Sequence, residues 1–358
     1  MTNGIKISEV VDGIVVTRPV RVAVDVMGGD FGPEETVKGA IQAMDNDSIE
    51  LFLVGDRELV EDELGKYDVK AKKVTVVPSE GKIGDDEHPV RALRSKPKAS
   101  ILESTKLVKG GVADVVVSMG STGASMASAV VVLGLMDGLE RPCLGGPFLG
   151  VAPRTVMVDA GSNLDCRPPL LLSFGALGSV FAHRFLGIEN PRIGLLSVGA
   201  EDAKGNRQVQ ESIQLFRASH LNFVGNVEGM DFFTGKADVI VCDGFVGNIL
   251  MKFAEGLGAS LTALVKDRLS KTVSAADLAE ITEDLWQTTN MPRTMGGPLF
   301  GVNGAVVLGH GSCRASGVAG AIRTAVRYVQ VGLVDSMREE LSQINAKGLL
   351  AEPSQPAS

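Results

Sequence analysis

Short, unbroken runs of β-branched residues recur along the chain, most ending in a turn rich in glycine and small polar residues. The runs include Val22-Ala23-Val24-Asp25-Val26, Leu51-Phe52-Leu53-Val54, Val74-Thr75-Val76-Val77 and Val115-Val116-Val117. Others are Val156-Met157-Val158, Ile193-Gly194-Leu195-Leu196, Val239-Ile240-Val241 and Val306-Val307-Leu308. Their apolar residues are continuous rather than alternating, as in strands covered on both faces. Helix-like stretches, 34–43, 90–108, 170–185 and 318–329, lie between them. Strand then helix, repeated, predicts an α/β fold: a mostly parallel sheet wrapped by helices.

The turns explain an unusual glycine content of 43 in 358 residues, about 12% against a usual ~7%. They include Asp25-Val26-Met27-Gly28-Gly29-Asp30, Ser118-Met119-Gly120-Ser121-Thr122-Gly123 and Asp159-Ala160-Gly161-Ser162-Asn163. Later come Cys242-Asp243-Gly244-Phe245-Val246-Gly247-Asn248 and Gly309-His310-Gly311-Ser312. Open α/β sheets bind ligands at the carboxyl ends of their strands. Glycine there lets backbone approach a ligand, and helix N-termini just beyond supply N–H donors. A single βα turn uses glycine for its own geometry. Several that also carry Asp, Ser, Thr and Asn predict one shared anion-binding cleft.

The alternation lapses between Ile249 and Gln287. Leu250, Phe253, Leu257, Leu261 and Leu264 recur at helical spacing, and a second helix follows a cap at Ser274, with Leu278, Ile281, Leu285 and Trp286 on one face. The pattern predicts a helical hairpin over 249–290. It leaves open whether Leu257, Leu261, Leu264 and Trp286 pack in a core, meet a second subunit or meet a membrane surface. The remaining organisation is a single α/β body over 21–345, an N-terminal arm of residues 1–20 and a flexible tail over 346–358. Within the arm, Ile14, Val15, Val16 and Thr17 suit an extra edge strand.

Net charge is −8, which disfavours nucleic acid as a partner. The four cysteines, Cys143, Cys166, Cys242 and Cys313, are scattered and suit buried thiols of a reducing cytosol. The start is unlike a secretory signal, and no apolar run is long enough to span a bilayer. P-loop, GxGxxG, HExxH and GxSxG patterns are absent, so no cofactor or metal is expected. Of His88, His183, His220 and His310, only His310 falls in a strand-end turn. Cys313 beside it is the one local candidate for a thiol nucleophile.

What remains is neutral donors, a few carboxylates and one lysine in a polar turn. Lys204, in Glu201-Asp202-Ala203-Lys204-Gly205-Asn206, can place its ammonium on phosphate beside backbone donors. Asn248 offers an amide to an oxyanion in acyl transfer. On residue chemistry alone, Lys204 could equally be a solvated turn lysine and Asn248 a helix cap.

The segment Val24-Asp25-Val26-Met27-Gly28-Gly29-Asp30-Phe31-Gly32-Pro33 resembles the opening signature of the bacterial acyl-carrier-protein:phosphate acyltransferase family, PlsX. So do Glu87-His88-Pro89-Val90-Arg91-Ala92, Gly120-Ser121-Thr122-Gly123-Ala124, Asp159 to Cys166, Glu201 to Asn206, Gly225-Asn226-Val227-Glu228-Gly229, Asp243 to Asn248 and His310-Gly311-Ser312. The resemblance runs in order over about 21–327. Ser121 stands where the family usually has Asn, and Gly161-Ser162-Asn163 where Gly-Ala-Asn is common.

The resemblance implies an isopropylmalate-dehydrogenase-like or phosphotransacetylase-like fold and a homodimer whose hairpin touches the inner face of the cytoplasmic membrane. It implies conversion of acyl carrier protein thioester and inorganic phosphate to acyl phosphate and free carrier, for glycerophospholipid synthesis. The family's catalytic lysine and asparagine fall on Lys204 and Asn248. Expected contacts to phosphate or acyl phosphate are Asp25, Gly28, Gly29 and Asp30 after the first strand, and Ser121, Thr122 and Gly123 at a second turn. Further contacts are expected from Asp159, Gly161, Asn163, Asn206, Asp243 and Gly247, then His310, Gly311 and Ser312. The rival readings are a phosphotransacetylase-type enzyme using acyl-CoA, an NAD-dependent decarboxylating dehydrogenase, and a non-catalytic scaffold that binds the carrier protein.

Overall fold

A computed structural model of the chain describes residues 18–44, 48–69 and 72–350. The expected edge strand at 14–17 and the tail beyond residue 350 lie outside them. In chain order the first elements are β1 (Val20–Asp25), α1 (Glu34–Ala43), β2 (Ile49–Gly55), α2 (Arg57–Leu64), β3 (Val74–Pro78), α3 (Pro89–Ser95), α4 (Ser100–Lys109), β4 (Val115–Ser118) and α5 (Thr122–Val132). The middle of the chain forms β5 (Cys143–Pro147), β6 (Val156–Val158), α6 (Pro168–Arg184), β7 (Ile193–Leu196), α7 (Arg207–Ala218), β8 (Phe223–Val227) and β9 (Val239–Val241). Then follow α8 (Gly244–Leu269), α9 (Ala275–Thr289), α10 (Met291–Met295), β10 (Gly297–Phe300), β11 (Ala305–Leu308), α11 (Ala315–Gln330) and α12 (Leu333–Ala346).

One eleven-stranded sheet runs β3-β2-β1-β4-β11-β10-β5-β6-β9-β7-β8. It is mostly parallel and flanked by helices, as the strand–helix alternation predicts. Two parallel blocks, β3-β2-β1-β4-β11 and β6-β9-β7-β8, are joined by β10 and β5, whose pairings are antiparallel. Sequence pattern misses both of these joining strands. Gly297-Pro298-Leu299-Phe300 and Cys143-Leu144-Gly145-Gly146-Pro147 are dominated by residues that are poor strand formers; long-range pairing alone makes them strands.

The valines of β1, β4, β6 and β9 are buried, and α6 and α11 are mostly buried between the sheet and neighbouring helices. The predicted 90–108 helix is two helices, α3 and α4, separated by a break containing Pro97, which excludes the preceding residue from helical geometry. At the other end, Leu349 and Leu350, in the segment expected to be a flexible tail, pack against the main core.

The hairpin forms from α8 and α9, with the Ser274 hydroxyl accepting from the Asp277 N–H as a cap. Helix α8 starts earlier than the apolar spacing suggests. Asp243 caps it by accepting from the Val246 N–H, so Asn248 sits in its second turn. Leu257, Leu261 and Leu264 are exposed, Trp286 is half-buried and Leu278 is buried between the helices.

Candidate functional site

Strand-end turns gather into one cluster in each block. In the first block, the Ser118 hydroxyl donates to Asp25 Oδ2 at 2.7 Å, and the Gly120 N–H donates to Ser118 Oγ at 3.0 Å. The Asp30 N–H donates to the Gly311 carbonyl at 2.9 Å, and Lys82 Nζ to the Gly29 carbonyl at 3.2 Å. These bonds tie the ends of β1, β4 and β11 together. Asp25 is buried, and desolvation raises its pKa despite the Ser118 bond. Ser121 occupies the cap position of α5 but its side chain makes no capping bond. The first N–H groups of α5, around Thr122 and Gly123, therefore keep donors available to an anion.

His310 Nδ1 accepts from the Ser312 N–H at 3.2 Å and lies 2.8 Å from its hydroxyl. Burial lowers the pKa of His310, helped by the positive charges of Arg293 and Lys252. Cys313 Sγ donates to the Arg293 carbonyl at 3.1 Å, and burial raises its pKa. A buried thiol held by a backbone carbonyl is a structural group rather than an activated nucleophile.

The second block is built around Asp159. Its carboxylate accepts from the N–H groups of Leu144, Gly161, Ser162 and Asn163 and from Asn163 Nδ2, at 2.7–3.2 Å. Burial still raises its pKa, with these donors pulling the other way. Asn163 Nδ2 also donates to the Pro142 carbonyl at 2.9 Å. Asp159 and Asn163, both buried, thus hold the turn that positions Gly161.

Gly247 must be glycine here: a Cβ on it would meet the Asp159 carbonyl oxygen at 1.9 Å. That approach brings the next residue, Asn248, over Gly161, whose own Cβ would lie 3.2 Å from that of Asn248. Gly161 has φ +138°, a conformation L side chains rarely adopt.

Lys204 lies in the turn between β7 and α7 and is exposed. Its turn is fixed beneath it. The Lys204 N–H donates to the Glu201 carbonyl at 2.9 Å, and Asn226 Nδ2 donates to the carbonyls of Glu201 at 2.9 Å and Lys204 at 3.3 Å. Asn206 caps α7 by accepting from the Val209 N–H at 3.0 Å. Because the sheet order is β6-β9-β7, the start of α8 stands between the Gly161 turn and the Lys204 turn. A cavity of about 220 Å³ opens beside it, lined by the ends of β7 and β9 and the starts of α7 and α8.

Helix α8 connects the two clusters. Asn248, Lys252 and Glu255 share a face at i, i+4 and i+7 spacing. Glu255 pairs with Lys252 at 3.1 Å and with Arg293 at 3.5 Å, and the charges of all three residues reach His310. Sequence reading missed Lys252, Arg293 and the cavity lining apart from Asn206 and Asp243. Only the four-residue spacing of Lys252 from Asn248 could have signalled any of them. Among the described residues, no three His, Cys, Asp or Glu side chains are grouped to hold a metal.

These features define an α/β protein with glycine turns at its strand ends, an uncapped start to α5 and an exposed lysine, Lys204, in the turn before α7. The fold agrees. A phosphotransacetylase from Streptococcus pyogenes matches with a TM-score of 0.59 at 20% identity, covering 88% of this chain and 95% of that one.

Sequence comparison narrows the class. The family model described as fatty acid synthesis protein matches residues 20–336. The phosphate acyltransferase of Desulforamulus reducens is 41% identical over 333 residues, 92% of this chain and 99% of that protein. That of Synechocystis is 41% identical over 319 residues, 87% and 91% of the two chains. The chain belongs to this family of phosphate acyltransferases.

Proposed function

We propose that this protein transfers an acyl group from an acyl carrier protein thioester to inorganic phosphate, releasing acyl phosphate and free carrier for glycerophospholipid synthesis. The observation that carries the reading is the placement of Asn248 at the start of α8, over the Gly161 turn, with the exposed Lys204 on the neighbouring β7–α7 turn, in a chain of the phosphate acyltransferase family.

In the proposed reaction a phosphate oxygen attacks the thioester carbonyl carbon directly. The carbonyl π pair moves onto oxygen, then returns as the C–S bond breaks and the thiolate leaves. The Lys204 ammonium and strand-end N–H groups hold the phosphate. Asn248 Nδ2 donates to the oxyanion, a contact of the kind worth about 10²–10³-fold in rate. A thiolate needs little acid assistance to depart, and holding phosphate against the carbonyl supplies much of the remaining acceleration. The buried carboxylates of Asp25 and Asp159 act indirectly, by shaping the turns.

The test is phosphate-dependent release of free carrier from acyl carrier protein. Lys204→Ala should lower kcat/KM at least about 10²-fold while the melting temperature stays unchanged; near-normal turnover removes Lys204 from the mechanism. Faster turnover of acyl-CoA than of the carrier thioester would favour the phosphotransacetylase-type alternative.

The hairpin supports a second part of the reading. Phe245, Ile249, Phe253, Leu257 and Leu261 repeat every four residues along α8 and are 57%, 50%, 65%, 46% and 37% exposed. An apolar stripe this long marks a contact surface. It suits a homodimer whose hairpin rests on the membrane's inner face. Among the described residues no helix is long and apolar enough to cross a membrane, so the contact would be peripheral. Leu257→Glu or Leu261→Glu should reduce cosedimentation with anionic phospholipid vesicles and leave soluble turnover intact. Equal loss of soluble turnover would assign these residues to a subunit contact instead.

A further inference from the structure

We propose that the cavity between the ends of β7 and β9 receives the alkyl chain of the acyl substrate and sets chain-length preference. The inference rests on the acyl-transfer reading and adds to it a specificity site. Leu171, Leu195, Val209 and Val241 form an apolar, buried part of the wall, and Val246 is partly exposed there. Polar groups are present as well: Asn206 Oδ1 and Asp243 Oδ1 are held by the first turns of their own helices, and Ser197 adds a buried hydroxyl that has no partner among the described residues. The inner wall is nonetheless mostly apolar and no cationic side chain lines it, which suits a hydrocarbon better than a second anion.

Its position matches the chemistry. Gly205 and Asn206 line it and directly follow Lys204. An acyl group whose carbonyl lies near phosphate held by Lys204 has this opening next to it. At about 30 Å³ for each small heavy group, the roughly 220 Å³ volume holds about seven methylenes. Longer chains would continue over Val198, which also lines the cavity and is 83% exposed. Each buried methylene is worth about fourfold in binding, so small changes in depth translate into a measurable length preference.

Two variants change the depth in opposite directions. Val246→Phe narrows the cavity from an exposed position that tolerates the larger ring. Leu171→Ala deepens it from below. The readout is kcat/KM across a series of acyl chains from four to eighteen carbons on one carrier. The long-to-short ratio should fall about tenfold with Val246→Phe and move the optimum up by about two to three methylenes with Leu171→Ala. An unchanged ratio in folded Val246→Phe protein overturns the proposal, as does an equal loss at every chain length.

A binding measurement separates this inference from the reaction assigned above. A fluorescent polyene fatty acid should bind the wild type and bind at least tenfold more weakly to Val246→Phe. Binding without any acyl phosphate formation by the wild type would refute the reaction and keep the pocket. Acyl phosphate formation with unchanged fatty acid binding in Val246→Phe would refute the pocket and keep the reaction.

Discussion

The two sheet blocks each end a central strand in an aspartate followed by a glycine turn, yet the two aspartates are treated differently. Asp159, after β6, is caged by five N–H groups. Asp25, at the end of β1, accepts from the Ser118 hydroxyl at one oxygen, while its buried Oδ1 has no hydrogen-bond partner among the described residues. Burial raises both pKa values. The caged carboxylate fixes the turn beneath Gly161 and Asn248. The less satisfied one sits behind Gly28 and Gly120, where the backbone itself makes the close approach. The same motif thus serves as a rigid mount in one block and a thin wall in the other.

Removing the cage should have the largest effect. Asp159→Ala leaves its buried donors unpaired and should destabilise the fold by about 4 kcal/mol, read by urea denaturation; a loss below 1 kcal/mol would mean the turn holds without it. Next come the glycines that seat the turns. A Cβ at Gly247 meets backbone at 1.9 Å, whereas one at Gly28 meets the Gly120 nitrogen at 2.6 Å. Gly247→Ala should therefore cost about 3 kcal/mol and Gly28→Ala about 2, with Gly247→Ala also displacing Asn248 and lowering turnover. The reverse order would show that the first turn is the more rigid one.

The smallest effect is at Asp25, and its sign follows from linkage. Its folded pKa lies above the unfolded value of about 3.9, so the charged form destabilises the fold at neutral pH. That penalty lifts as pH falls through the raised folded pKa. Asp25→Asn keeps an acceptor for Ser118 and should be about 1 kcal/mol more stable than wild type at pH 7. The advantage should shrink on acidification, and growth of the gap at low pH would reverse the assignment.

Much of the fold is legible in the sequence because buried parallel strands need continuous apolar runs, and βα turns need glycine and caps. The eight runs quoted from the sequence all fall on strands. The joining strands β5 and β10 are not legible, since glycine and proline carry no strand preference and only a partner across the sheet makes them extended. The candidate site is legible in part. Lys204 and Asn248 stand out as polar groups in glycine turns; Asp159 and Asn163 look the same on paper, and their burial and mutual hydrogen bonds appear only in the folded chain. Lys252 and Arg293 are ordinary surface-type residues until α8 and α10 bring their charges to His310.

The sequence by itself therefore determines an acidic α/β chain with glycine-rich strand-end turns, and its ordered motifs place it in one family. Tertiary structure decides which of those polar groups point outward, because that depends on which backbone donors each carboxylate finds once the turns pack. It also decides where an apolar cavity opens. The void beside Lys204 is left by two strand ends and two helix starts that are distant in sequence, and local pattern carries no information about the space between them.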